Sequence, residues 1–241
     1  MIDLRFGDCL ELMKDVPDKS IDMIFADLPY GTTKCKWDSV IDLPGLWSHY
    51  ERIIKDNGVI LLFAQTPFDK VLGASNLRLL RYEWIWEKTA ATGHQNAKKM
   101  PMKAHENILV FYKSLPTYNP QKTSGHKPVN RFKKTLETQN RCKVYGKATK
   151  EVYGGGNTDR YPRSVQVFAS DKQKSKLHST QKPVALTSYM IRTYTNPGDL
   201  VLDNTMGSGT TGESCIELGR DFIGMENDEA SFLVATKRLS R

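Results

Sequence analysis

Two short loops hold the residue types from which a transfer reaction can be built. The first, Ala26-Asp27-Leu28-Pro29-Tyr30-Gly31, follows the apolar run Ser20 to Ala26. Such a run suits a strand buried on both faces of a parallel sheet. Pro29 fixes its own φ and pushes Leu28 toward extended backbone. The Leu28 carbonyl and the Asp27 carboxylate can then face one pocket beside the Tyr30 ring. Two acceptors and a ring suit a planar, amino-bearing base. An ordinary proline turn beside a core tyrosine is the plainer reading of the same residues.

The second loop runs from Val201 through Asp203-Asn204-Thr205-Met206-Gly207-Ser208-Gly209-Thr210-Thr211 to Gly212. It leaves a buried strand, turns on glycines and enters a helix, whose unpaired N–H groups attract an anionic group. A nucleoside triphosphate loop would carry G-x-x-x-x-G-K-[ST], and no lysine stands at Thr210-Thr211. Gly207-x-Gly209-x-x-Gly212 formally matches the dinucleotide pattern, so spacing leaves NAD open. Glu226 ends the next strand, where an acidic side chain bonds ribose hydroxyls. The loop therefore points to a nucleoside cofactor without saying which one.

Several elements must position these loops. Gly58 to Ala64, Trp84 to Trp86 and Asn107 to Tyr112 read as strands. Leu46, Tyr50, Ile53 and Ile54 recur at helical spacing, and Asn57-Gly58 is expected to close that helix. Pro183 to Tyr194 and Thr210 to Leu218 read as helices around a strand at Leu200 to Asp203. Phe222 to Glu226 is another strand, and Asn227 or Asp228 caps a last helix through Leu239. This alternation predicts an α/β chain with an open, doubly wound, mostly parallel sheet.

The 241 residues carry 35 Lys+Arg against 27 Asp+Glu, a formal charge of +8, which favours an anionic partner. The charge is concentrated: residues 88 to 178 hold 19 basic and 5 acidic side chains, while the flanks are acidic on balance. Aromatics lie among those lysines (Tyr118, Phe132, Tyr145, Tyr153, Tyr161), a mixture that suits nucleic acid. Arg131, Lys133 and Lys134 are candidate DNA contacts here. Lys34 and Lys36 in the 31–38 loop are further candidates, with Lys98 and Lys99 in an expected mobile loop at 89–103. No apolar run approaches the length of a membrane span. The N-terminus lacks a signal-peptide layout. Four scattered cysteines and five dispersed histidines form no C-x-x-C or H-E-x-x-H. No metal site is expected, and a reducing cytoplasm is the expected compartment.

Asp27-Leu28-Pro29-Tyr30 resembles the Asp-Pro-Pro-Tyr motif of amino-group DNA methyltransferases, and Asp203 to Gly212 resembles their S-adenosylmethionine loop. Catalytic loop first, basic segment in the middle and cofactor loop last is similar to the beta-class order of that family. The resemblance extends to Gly7-Asp8-Cys9, which in the family contacts the cofactor's adenine. It also takes in His178-Ser179-Thr180-Gln181-Lys182-Pro183, at the methionine end, and Glu226, the ribose-binding acid. It covers most of 1–112 and 178–241, implying a Rossmann-like methyltransferase domain interrupted by a target-recognition insertion at 113–177. Implied cofactor contacts are Asp8, Cys9, Asp27, His178, Gln181, Lys182, Asp203, Gly207, Ser208, Gly209, Thr210, Thr211 and Glu226. Implied catalytic residues are Asp27, Leu28, Pro29 and Tyr30.

Leu28 departs from the family's first proline but retains the main-chain carbonyl through which that residue acts. The expected activity is methyl transfer from S-adenosylmethionine to N6 of an adenine flipped out of double-stranded DNA. Cytosine N4, RNA methylation, an inactive DNA-binding relative and a dinucleotide-dependent oxidoreductase are the alternatives. A homodimer and a cognate restriction endonuclease belong to the expectation, and the recognition sequence is not readable.

Overall fold

The computed structural model describes residues 1–31, 39–129, 132–134, 152–170 and 181–240. The chain divides into a main unit, residues 1–119 with 164–241, and a small unit, residues 120–163. The main unit begins β1 (Ile2–Phe6), α1 (Cys9–Leu12), β2 (Ile21–Ala26), α2 (Leu43–Ile53), β3 (Ile54–Ala64), α3 (Phe68–Ser75), β4 (Leu80–Thr92) and β5 (Lys103–Phe111). The small unit contributes β6 (Phe132–Lys134) and β7 (Val152–Gly154), which pair antiparallel. The main unit resumes with β8 (Val165–Phe168), α4 (Val184–Tyr194), β9 (Leu200–Asp203), α5 (Thr210–Leu218), β10 (Asp221–Glu226) and α6 (Glu229–Leu239).

One eight-stranded sheet runs β1-β10-β9-β2-β3-β5-β4-β8. It is parallel except where β5 meets β3 and β4. The strands alternate with a period of two, as a sheet covered on both faces requires. Ile24, Ala26, Ile60, Leu62, Leu202 and Ile223 pack on one face with Met13 of the turn after α1, Leu46, Tyr50 and Ile53 of α2, and Phe68 and Leu72 of α3. Met23, Phe25, Val59, Leu61, Val201 and Phe222 pack on the other with Leu186 and Met190 of α4, Cys215 of α5, and Ala235 and Leu239 of α6.

Helix starts follow local chemistry. Asp42 accepts from the Gly45 N–H at 2.8 Å to cap α2, and Asp228 accepts from the Ser231 N–H at 2.9 Å to cap α6. Pro183 precedes α4 in extended backbone, and Gly219 ends α5 in the left-handed region. At the sheet centre β2 and β9 lie side by side. The chain leaves β2 for β3 on one side and β9 for β10 on the other. Their carboxyl ends therefore border the crevice where an open α/β sheet holds ligands.

Three expectations are corrected. Asn57-Gly58 does not close α2, which ends at Ile53. Gly58 instead lies in β3, where the register with β2 shifts between Ile21 and Met23. A Cβ at Gly58 would fall 2.9 Å from the Asp22 carbonyl and 2.7 Å from Ile54 Cγ1, so close backbone approach explains the residue. The 89–103 loop is shorter than expected, because β4 continues to Thr92 and β5 begins at Lys103. Residues 113–119 and 164–170, left by the family resemblance as part of the insertion, belong to the main unit, and β8 pairs in parallel with β4.

Candidate active site

The two loops meet. Thr205, after β9, donates its hydroxyl to the main-chain carbonyl of Asp27, after β2, at 3.1 Å. Around this bond opens a cleft of about 600 Å³, lined at one end by Asp27, Leu28, Pro29, Tyr30, Phe63, Trp86, Lys88 and Glu106. At the other end it is lined by Gly7, Asp8, Cys9, Asp203, Gly207, Ser208, Thr210, Thr211, Glu226 and Asp228. Gln181 and Lys182 also line it.

At the Asp27 end, the Tyr30 hydroxyl donates to Asp27 Oδ1 at 2.7 Å, and Lys182 Nζ lies 2.8 Å from Oδ2. The Tyr30 ring stacks on Phe68, centroids 5.1 Å apart, which fixes its plane. Leu28 buries its side chain in the core, leaving only its main chain for chemistry. Lys182 Nζ reaches Glu106 Oε2 at 2.9 Å, and Lys88 Nζ reaches Glu106 Oε1 at 2.5 Å. Burial opposes ionisation of Glu106, yet the charges of Lys182 and Lys88 outweigh it and hold the carboxyl down at about 2. Burial likewise works against charge on Lys182, and Asp27 and Glu106 overcome it and raise its pKa.

At the opposite end Glu226 acts as a bracket. Its Oε2 accepts from the Gly207 N–H at 2.8 Å, and its Oε1 accepts from the Asn227 and Asp228 N–H groups at 2.9 Å each. Gly207 has φ +52 and nothing within 4 Å of a would-be Cβ, so a ligand can approach its backbone. Asp203 is buried. It accepts from the Thr211 hydroxyl at 2.6 Å and the Thr205 N–H at 3.1 Å. Desolvation still dominates and pushes its carboxyl up to about 7. Asp8 caps α1 through the Leu10 N–H at 2.8 Å, and burial raises the Cys9 thiol.

The set suits a cationic nucleoside cofactor. Glu226, Asp228 and Asp8 give one end acceptors for ribose hydroxyls and positive charge. Gln181 is 6% exposed, and its Oε1 has no hydrogen-bond partner among the described residues, which leaves an acceptor open to a ligand donor.

Most residues singled out by sequence therefore share this cleft. Gly209 does not line it. With φ +78 it backs onto α6, where a Cβ would stand 3.1 Å from Leu239 Cδ1, so its role is turning and packing. Lys98 and Lys99 are exposed on the connection between β4 and β5. Lys133 and Lys134 lie on β6. His178, Lys34, Lys36 and Arg131 fall outside the described residues. Sequence reasoning gave no role to Lys88, Glu106, Trp86 or Thr205. β4 also carries Arg81, Glu83 and Glu87, and β5 also carries Lys103 and His105, so no local signal set Lys88 and Glu106 apart.

The sequence matches the DNA methylase family of N6 and N4 methyltransferases over residues 21–237. It is 31% identical to the DNA adenine methyltransferase YhdJ of Escherichia coli, covering 97% of this chain and 81% of that one. It is 28% identical to the type II methyltransferase M.HinfI of Haemophilus influenzae, over 97% and 67% of the two chains. Among solved structures, the M1.HpyAVI–SAM complex superposes with a TM-score of 0.69 at 25% identity, all of both chains being covered. The cytosine-N4-specific PvuII DNA methyltransferase gives 0.71 at 15% identity, over 98% and 86%, a likeness of fold. With this Rossmann-like sheet and its paired loops, the chain belongs to the N6/N4 family of DNA methylases.

Proposed function

We propose that this chain methylates the N6 amino group of an adenine extruded from double-stranded DNA. The carrying observation is the Thr205–Asp27 bond, which sets the acidic, glycine-lined end and the Asp27–Tyr30 end in one cleft. The methyl donor is S-adenosylmethionine, which when bound supplies an electrophilic methyl group. Glu226, held by three amides, and the Gly207 backbone would take its nucleoside part, and Gln181 Oε1 would accept from its amino group.

An exocyclic amine is a weak nucleophile because its lone pair is delocalised into the ring. Asp27 and the Leu28 carbonyl accept its N–H groups, favour a more available lone pair and stabilise positive charge arising on nitrogen. Asp27 retains capacity for this, since each carboxylate oxygen accepts more than one bond. Tyr30, backed by Phe68, offers a ring on which the extruded base stacks. Placing the acceptor amine in line with the methyl group supplies much of the remaining rate.

The aspartate that opens the catalytic motif and the adenine specificity in YhdJ's name support N6 over cytosine N4. The basic 113–177 segment, with Lys98 and Lys99, is proposed to contact DNA. The type II name of M.HinfI supports extending the reading to a partner endonuclease. The test is to incubate the purified chain with duplex DNA and S-adenosylmethionine, digest to nucleosides and analyse by mass. N6-methyladenine is expected. N4-methylcytosine overturns the choice of base, and no incorporation overturns the activity.

A further inference from the structure

Lys182 stands where the sequence placed a cofactor contact, yet its ammonium is spent elsewhere. Nζ is 2.8 Å from Asp27 Oδ2, 2.9 Å from Glu106 Oε2 and 4.8 Å from the centre of the Phe63 ring. Two carboxylates and one aromatic face account for its three N–H donors. The groups facing it come from separate elements: Asp27 and Tyr30 after β2, Phe63 on β3, and Glu106 on β5. Lys88 on β4 holds Glu106 from the far side. Pro183, next in the chain, fixes the backbone from which Lys182 projects.

This arrangement addresses an electrostatic difficulty in the proposed reaction. A lone ammonium beside Asp27 would hold the carboxylate in place but repel positive charge developing on the target nitrogen. Glu106 offsets it: Lys88, Glu106, Lys182 and Asp27 together sum to zero formal charge. Burial makes that balance count, because Lys88 and Glu106 expose 9% and 7% of their side chains and Lys182 13%. We propose that Lys182 is a positioning residue that fixes the Asp27 carboxylate for the incoming amine, and that Glu106 neutralises it so that transfer is not opposed. The inference rests on the methyl-transfer reading above.

The test compares the wild-type chain with Lys182→Met, Lys182→Arg, Glu106→Gln and the double variant Glu106→Gln/Lys182→Met. Turnover on one duplex substrate is measured beside cofactor affinity by calorimetry and folding by thermal melt. Lys182→Met should lower kcat on the order of 10- to 100-fold, the scale of a hydrogen bond to a charged group. Cofactor Kd should stay within about twofold, since the loss lies in the transition state. Lys182→Arg should recover most of the rate. Glu106→Gln should lose a smaller factor, and the double variant should fall no further than Lys182→Met, because Glu106 acts through Lys182.

Unchanged kcat in Lys182→Met, or a loss confined to cofactor affinity, overturns the inference, as do losses that multiply in the double variant. Should Lys182→Met melt early, Glu106→Gln with full turnover overturns it equally. An inactive wild-type chain instead refutes the functional reading on which the inference stands.

Discussion

Asp203 carries a pH signature that can be measured without substrate. Its carboxyl is buried at the end of β9, and desolvation lifts its pKa from 3.8 to about 7 despite the Thr211 and Thr205 hydrogen bonds. Between those values the folded chain holds a proton that the unfolded chain has released. Stability from this group is therefore fully present below the unfolded value and is lost as pH rises through 7. The slope is about 1.4 kcal/mol per pH unit, so the loss from about pH 5 to pH 8 is roughly 2–3 kcal/mol. Asp203→Asn preserves shape: the amide oxygen can accept from the Thr205 N–H, and the Thr211 hydroxyl can turn to accept from the amide nitrogen. Urea denaturation of both proteins at about pH 5, 6, 7 and 8 isolates the carboxyl. The wild-type advantage should shrink steadily as pH rises and level off by about pH 8. A difference that stays flat across this range refutes the assignment of a neutral buried acid.

Other outcomes follow from the same geometry. Asp27→Ala should abolish methyl transfer while cofactor binding, measured by calorimetry, stays largely intact; near-normal turnover contradicts the catalytic role. Tyr30→Phe keeps the ring but removes the donor to Asp27 Oδ1, so it should lower kcat. Tyr30→Ala should add about 1–3 kcal/mol of lost stacking, read from binding to DNA with an abasic gap opposite the target. Glu226→Gln replaces one acceptor oxygen of the bracket with a donor, and cofactor Kd should rise on the order of tenfold or more. Gly212→Ala would set a Cβ 2.6 Å from Leu239 Cδ1 and 2.8 Å from Phe222 Cε1, and chemical denaturation should show about 1–3 kcal/mol of destabilisation.

What could be read in the sequence was local. Strand-turn units such as Ile21 to Tyr30 and Leu200 to Thr211 carry their own punctuation, and Asp228 and Pro183 mark helix starts within a few residues. Readings failed where one local signal serves two structures. Asn57-Gly58 has the composition of a helix end, but here it serves an irregular strand whose backbone nears Asp22. β8 escaped notice because Val165 to Phe168 is a short edge strand inside a basic stretch, and only its pairing with β4 makes it a strand. The charged network beside Asp27 is assembled from β4, β5 and the segment before α4, so no window along the chain contains it.

The place where β8 rejoins the sheet also bears on how this enzyme can diversify. Asn119 bonds to the carbonyls of Thr193, Arg192 and Thr195, and the Ser164 carbonyl accepts from Ile85, so exit and return are both anchored by the catalytic body itself. Lengthening the stretch between them costs about 0.6 kcal/mol per doubling in closure entropy. The sheet loses no strand pairing in the exchange. The segment proposed to contact DNA can thus change length as a lathe takes new tooling, the drive train untouched.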